Sequence, residues 1–221
     1  MQGKNAARTL RTPRSGAGSG GEGVAKTLRR KRRLPKTLSR REASQLLAVP
    51  NLRAPTGLRN RCMLELMYRA GLRVSEVCAL EMRDVDLTRG TVRIEDGKGG
   101  DGTAYFDVGS VAPLIDEWKR ERKRLGVPSS APLFCTLAGE TIDTSYMRAM
   151  VKRIARRAGL DPSKVSPHVL RHTFATELLD EGFNIRQVQE ALRHADVSTT
   201  MVYTWVYDAE LRARIQRRKR G

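Results

Sequence analysis

The stretch P-H-V-L-R-H-T-F-A-T-E-L-L-D-E-G-F-N-I-R-Q-V-Q-E-A-L-R-H-A-D-V-S-T-T-M-V-Y-T-W-V, residues 167–206, decides how this chain is read, and it holds all 3 of its histidines. Ser166 followed by Pro167 reads as an N-cap and a first helical position, where the missing N–H of proline costs nothing. The helix runs to about Glu181, and Gly182 supplies a left-handed cap. Leu170, Phe174 and Leu178, spaced by four, form an apolar stripe that must face a core. His168 and Arg171, three apart, share a different face near the helix N-terminus, whose free N–H groups and partial positive charge suit an anion. Asn184 to Gln187 reads as a capping box opening a short helix with Ile185, Val188 and Leu192 inward. His194 falls just past its end. A further helix starts near Ser198, with Met201 and Trp205 on one side and Tyr203 pointing the other way.

An imidazole–guanidinium pair, a second imidazole and a phenol are thus expected off the core stripes. Any one of them alone reads as a surface residue. Together they supply what a phenol needs to act as a nucleophile at neutral pH: a base, and cationic donors around the developing charge.

H-x-L-R-H-T-F-A-T at 168–176, L-R-H-A-D-V-S-T-T at 192–200 and M-V-Y-T at 201–204 resemble the second and third motif blocks of the tyrosine recombinase (phage integrase, Xer-like) family. A-G-L-R-V-S-E-V at 70–77 resembles its first block, whose arginine is catalytic and corresponds to Arg73. Glu76, three residues on, can hold that guanidinium by a charge-assisted pair. Arg73 and Arg171 can then grip the non-bridging oxygens of a phosphate.

The period changes between Asp84 and Val108. Thr91 to Ile94 and Thr103 to Phe106 read as strands around a glycine-rich turn, G-K-G-G-D-G. Lys98 rides that turn. In the family a lysine on this hairpin enters the minor groove and protonates the leaving oxygen, and the resemblance carries that role to Lys98. The turn departs from the family pattern at Asp101 and Gly102, where another basic residue is common.

Elsewhere the reading is of helices. Ser39 with Glu42 makes a capping box for a helix with Ala43, Leu46 and Leu47 inside. The next runs from about Thr56 to Tyr68 with Leu58, Cys62, Leu66 and Met67 inward, and Gly71 ends it. Val74 to Leu80 continues as a short helix. An amphipathic helix at 110–125 buries Val111, Leu114, Ile115 and Trp118 beneath a Lys/Arg-rich outer face. Another, at about 144–158, buries Met147, Met150, Val151 and Ile154 and exposes Lys152, Arg153, Arg156 and Arg157. By the family's pattern this helix, the one before the second block, lies near DNA. A final helix from about Ala209 to Arg218 ends in R-R-K-R.

The 221 residues carry a net charge of +18, which points to nucleic acid before an acidic membrane surface. Cys62, Cys78 and Cys135, an odd number without a C-x-x-C pair, read as reduced core residues rather than a disulfide frame or zinc site. No apolar run approaches the ~20 residues of a membrane span, and no signal-peptide core is present. Residues 1–38 differ in composition: Met1 to Gly23 is rich in Gly, Ser and Ala without periodicity and reads as disordered. Arg29, Arg30, Lys31, Arg32 and Arg33 form a basic run suited to tracking phosphates without reading bases.

The expected fold class is α+β, mainly helical, a tyrosine recombinase-type catalytic domain over 39–221 with a small antiparallel sheet or hairpin, preceded by a basic arm over 1–38. The family's helical core-binding domain is not evident in those 38 residues. The resemblance implies a site-specific DNA recombinase or integrase acting through a 3′-phosphotyrosyl intermediate, without metal or other cofactor. Arg73, Lys98, His168, Arg171, His194 and the nucleophile Tyr203 form its catalytic set. Arg29 to Arg33, Lys152, Arg153 and Arg156 contact the duplex. Implied partners are a double-stranded recombination site, a homotetramer on DNA and an accessory or core-binding partner. Implied location is the cytoplasm, nucleoid-associated, of prokaryotic or phage type, with no membrane.

Three other readings compete. A type IB topoisomerase-like strand transferase shares the tyrosine chemistry. A non-catalytic DNA-binding remnant needs only the charge. In a His-ligated metallohydrolase, His168, His172 and His194 would bind zinc, but Arg171 would then place a cation at the metal's edge and Tyr203 would go unused.

Overall fold

The structure, a computed structural model, describes residues 36–97 and 100–193. Among these, seven helices surround a small sheet: α1 (Arg40–Ala48), α2 (Pro55–Arg69), α3 (Val74–Ala79), α4 (Val108–Arg124), α5 (Thr144–Arg157), α6 (Pro167–Asp180) and α7 (Ile185–Leu192). The sheet, β1 (Val85–Asp86), β2 (Thr91–Gly97) and β3 (Gly100–Tyr105), is antiparallel with order β1-β2-β3. The expected mainly helical α+β fold with a small antiparallel sheet is what the described residues form. Strand β1 is too short to show a period, and its pairing of Val85 with Val92 was not expected.

Local chemistry sets the helix ends where the sequence places them. Ser39 and Glu42 form a reciprocal capping box before α1, as do Asn184 and Gln187 before α7. Ser166 Oγ accepts from the Val169 N–H at the start of α6. Past the end of α6, the Gly182 N–H donates to Leu179 O and the Phe183 N–H to Leu178 O. This is the Schellman pattern, with Gly182 at φ 97°.

Helix α2 runs through the centre. Cys62, Met63, Leu64, Leu66 and Met67 are fully buried against α4 and α6. The main core gathers the inner faces of α1 to α5, the sheet and the first turn of α6. A second, smaller cluster joins Ala175 and Leu179 of α6 to Val188 and Leu192 of α7, with Phe174, Leu178 and Ile185 packed on it. The stripe expected on α6 is therefore divided: Leu170 enters the main core, while Phe174 and Leu178, half-buried, cover the second. The reason is that α6 is packed on several sides, so a single-face period describes only part of it.

Two basic residues lie inside rather than on the surface. Arg122, expected on the outer face of α4, is 3% exposed and donates to the carbonyls of Pro128 and Ala131. Arg59 of α2 is buried, donating to Cys135 O at 2.7 Å and to the Tyr146 hydroxyl at 2.6 Å. Both bind loop carbonyls that no regular ladder satisfies. Among the cysteines Cys62 and Cys135 are buried and Cys78 half-buried, all as free thiols. Among the described residues no helix is long and apolar enough to cross a membrane.

Candidate nucleic-acid strand-transfer site

The chain turns sharply between α2 and α3. Gly71 adopts φ +61° there, and a Cβ built on it would come 2.5 Å from Phe174 Cδ1. A residue without a side chain is therefore required where α6 approaches. Arg73 follows as the N-cap residue of α3. Its main-chain N–H donates to Glu76 Oε2 at 2.7 Å and its Nη1 donates to Glu76 Oε1 at 2.7 Å. The expected charge-assisted pair is present, and it ties both backbone and guanidinium of Arg73 to one carboxylate.

Glu76 is 3% exposed in its side chain, so a charge there needs compensation. It has more than Arg73. Arg193 Nη2 lies 2.7 Å from Oε2, and Arg171 Nη1 lies 3.9 Å from the same atom. Burial pushes the carboxyl up, but Arg193, the Arg73 N–H and guanidinium, and Arg171 together hold it below its ordinary 4.5. Three guanidiniums around one carboxylate leave a net excess of two positive charges, a setting prepared for an anion.

Arg171 differs from its expectation. It lies 6% exposed rather than on an open face beside His168. Its guanidinium donates to the carbonyls of Gly71 and Leu192, joining α6 to the α2–α3 corner and to the end of α7. Pro167, Val169 and Leu170 of the same turn are buried, so the first turn of α6 is enclosed and only His168 remains exposed. His172, one turn on, is held below the ordinary histidine range by burial, with the neighbouring charges of His168 and Arg171 adding to the effect.

The structure thus brings Arg73 and Arg171 together on Glu76, with His168 on the same helix as Arg171. Lys98, His194 and Tyr203 lie outside the described residues, as do Arg29 to Arg33 and the helices expected near Ser198 and Ala209. Arg193, one residue before His194, ends α7. Lys152, Arg153, Arg156 and Arg157 are all exposed on α5, opposite the buried Met147, Met150, Val151 and Ile154. Among the described residues no group of three or more His, Cys, Asp or Glu side chains comes together to hold a metal ion.

Sequence reasoning missed Arg193. It sits at a helix C-terminus, where an arginine reads as a solvated partner of the last carbonyls. The signal for its burial is 117 residues away in Glu76. A cleft of about 1030 Å3 runs beside this centre, lined among others by Gly102, Tyr105, Phe174, Phe183 and Arg193, but by none of Arg73, His168 and Arg171. The Glu76, Arg171 and Arg193 side chains of the charged cluster are buried, and Arg73, 28% exposed in its side chain, with the exposed His168 forms its accessible edge.

Comparison with known proteins agrees with this architecture. The sequence model of the phage integrase family matches residues 36–210. The chain belongs to that family, and its relatives within it are Xer-like tyrosine recombinases. It is 42% identical over 182 residues to tyrosine recombinase XerD of Ralstonia nicotianae, covering 81% of this chain and 59% of that protein. It is 41% identical over 174 residues to tyrosine recombinase XerC of Xanthomonas axonopodis pv. citri, covering 78% and 55%. Among solved structures, XerA recombinase superposes with TM-score 0.70 at 31% identity, covering 88% of this chain and 67% of that one. The pre-cleavage complex of XerH site-specific recombinase with difH substrate superposes with TM-score 0.68 at 31% identity, covering 77% and 50%. The chain therefore spans somewhat over half the length of these curated relatives.

Proposed function

We propose that this chain is a site-specific DNA recombinase whose catalytic domain, residues 39–221, cleaves and rejoins strands through a 3′-phosphotyrosyl intermediate. The observation that carries the reading is the convergence of Arg73 and Arg171, from two separate motif blocks, on the buried carboxylate of Glu76.

In this reading the Tyr203 oxygen attacks a DNA phosphorus in line, forming a P–O bond as the bond to the 5′ oxygen breaks. His168 accepts the phenolic proton, and Lys98 donates one to the leaving 5′ oxygen. Arg73, Arg171 and His194 neutralise charge on the phosphoryl oxygens, each contributing about 3–4 kcal/mol of transition-state stabilisation. A 5′-hydroxyl from a second strand reverses the step. The phosphodiester energy is kept in the covalent link, so neither nucleotide nor metal takes part. Lys152, Arg153 and Arg156, with the arm at 1–38 and its run from Arg29 to Arg33, hold the duplex by its phosphates. Strand exchange between two sites takes place in a tetramer on DNA, with an accessory or core-binding partner closing the complex.

The test is covalent capture in EDTA from a library of nicked duplexes with randomised cores, comparing wild type with Tyr203→Phe. An SDS-resistant 3′-linked adduct with wild type alone is the expected result. An adduct that persists in the variant would transfer the role to another nucleophile, the nearest phenol being Tyr207, four residues after Tyr203. Binding without any adduct would reduce the chain to a DNA-binding protein, and loss of the adduct in EDTA alone would bring a metal into the chemistry.

A further inference from the structure

Among the described residues Arg193 is the one non-glycine residue with positive φ, at φ 52° and ψ 47°. A side chain disfavours this conformation and glycine does not, so an arginine here calls for a reason in what its side chain does. Its N–H closes the last turn of α7 on the carbonyls of Gln189 and Glu190. From there the side chain runs inward and is 7% exposed. Its stem lies on the backbone of β3: a Cβ built on Gly102 would come 2.8 Å from Arg193 Cδ and 3.2 Å from Cγ. Its head reaches Glu76 of α3 at 2.7 Å. Its own carbonyl accepts a long bond, 3.5 Å, from Arg73 Nη2.

One residue therefore touches α7, the β2–β3 hairpin and α3 at once. We propose that Arg193 is a positioning residue: it latches the hairpin to the Glu76–Arg73–Arg171 centre. Three consequences follow from its place. Arg193 takes up the Glu76 oxygen from which Arg171 Nη1 stands 3.9 Å away, so Arg171 stays committed to the Gly71 and Leu192 carbonyls. Gly102 is four residues after Lys98 in the sequence, so the stem's contact fixes the strand that follows that lysine. His194 follows directly, so the left-handed turn at Arg193 sets the direction in which the chain leaves α7. The catalytic part of this inference rests on the strand-transfer reading above, whereas the latch itself does not.

The experiment compares the full chain with Arg193→Gly and Arg193→Lys. Glycine suits the backbone conformation, so this variant removes the side chain without straining the turn. Amide hydrogen exchange is followed over 100–105 and over α2. Wild type should protect the hairpin. Arg193→Gly should speed exchange there by about tenfold or more with α2 unchanged, as expected for a local opening. Arg193→Lys, keeping stem and charge, should restore protection to within about threefold. On the nicked duplex captured above, adduct formation should slow by about 30- to 100-fold in Arg193→Gly at nearly unchanged DNA affinity, and recover in Arg193→Lys.

Gly102→Ala offers a second route, because the added methyl group displaces the stem from the other side. It should slow adduct formation in the wild-type background and have little further effect beside Arg193→Gly, the coupling expected of groups in contact. Hairpin exchange that is the same in wild type and Arg193→Gly overturns the latch, and a glycine variant with a full adduct rate overturns the positioning role. Failure of lysine to restore protection overturns the role of the charged head. If wild type forms no adduct on any duplex, the strand-transfer reading falls, and the exchange comparison still decides the latch.

Discussion

Arg171 donates a hydrogen bond to the main-chain carbonyl of Gly71, 100 residues earlier in the chain. The contact places a guanidinium from the second motif block against the corner that carries the first. The corner can accept it because Gly71 has no side chain and sits at φ +61°, leaving room for Phe174 of α6. Gly71→Ala should therefore destabilise the fold by about 2–4 kcal/mol, combining a left-handed backbone cost with overpacking against an aromatic ring. Urea denaturation measures this directly. A loss below about 0.5 kcal/mol would mean that α6 moves away without cost.

Removing the guanidinium itself should act on two quantities. Arg171→Lys keeps a charge but cannot reach the Gly71 and Leu192 carbonyls together, as the planar fork does. Leaving a buried carbonyl unsatisfied costs about 1–3 kcal/mol of stability. If Arg171 also holds the scissile phosphate, adduct formation should fall by about 10²–10³-fold in conditions where the variant is still folded. A variant that loses stability but keeps its rate would leave Arg171 a structural brace only.

Glu76 carries a pH dependence whose sign is set by its partners. Its folded-state carboxyl is held below the ordinary 4.5. Its contribution is then complete above that value and is lost as pH falls through the lower, folded-state one. Stability of wild type should therefore drop on acidification below pH 4.5, and Glu76→Gln should show a shallower drop over that window. At pH 7 the same variant should be less stable by about 3 kcal/mol, since the buried guanidiniums lose their counter-charge. Denaturant titrations at several pH values check both, and an unchanged acid slope would dissociate Glu76 from the effect.

The basic face of α5 should matter for DNA and not for folding. Lys152, Arg153 and Arg156 are exposed, so replacing all three with alanine should leave the melting temperature nearly unchanged. If each meets a phosphate, the slope of log K against log salt should become shallower by about 2–3. Binding measured from low to moderate salt gives that slope. An unchanged slope would place the duplex elsewhere.

The amino-acid order alone already carried the family, the helical class and most helix boundaries. Those signals are local. The Ser39–Glu42 and Asn184–Gln187 boxes, the Ser166–Pro167 start and the Gly182 stop each act within one helical turn. The inner faces of α1 and α5 were equally legible, because each helix meets the core on one side, whereas the central α2 also buries Met63 and Leu64, which its expected inner face left out. Tertiary structure alone decided which charged residues are inside. Arg59, Arg122 and Arg171 carry the same side chain as the exposed Arg153 and Arg156. Burying a guanidinium is tolerable only where carbonyls or a carboxylate meet its donors. For Arg171 that partner is 100 residues away, and for Arg193, the residue the sequence reading passed over, it is 117. No local pattern can announce such a pairing, because it exists only once α3, α6, α7 and the hairpin have come together around Glu76.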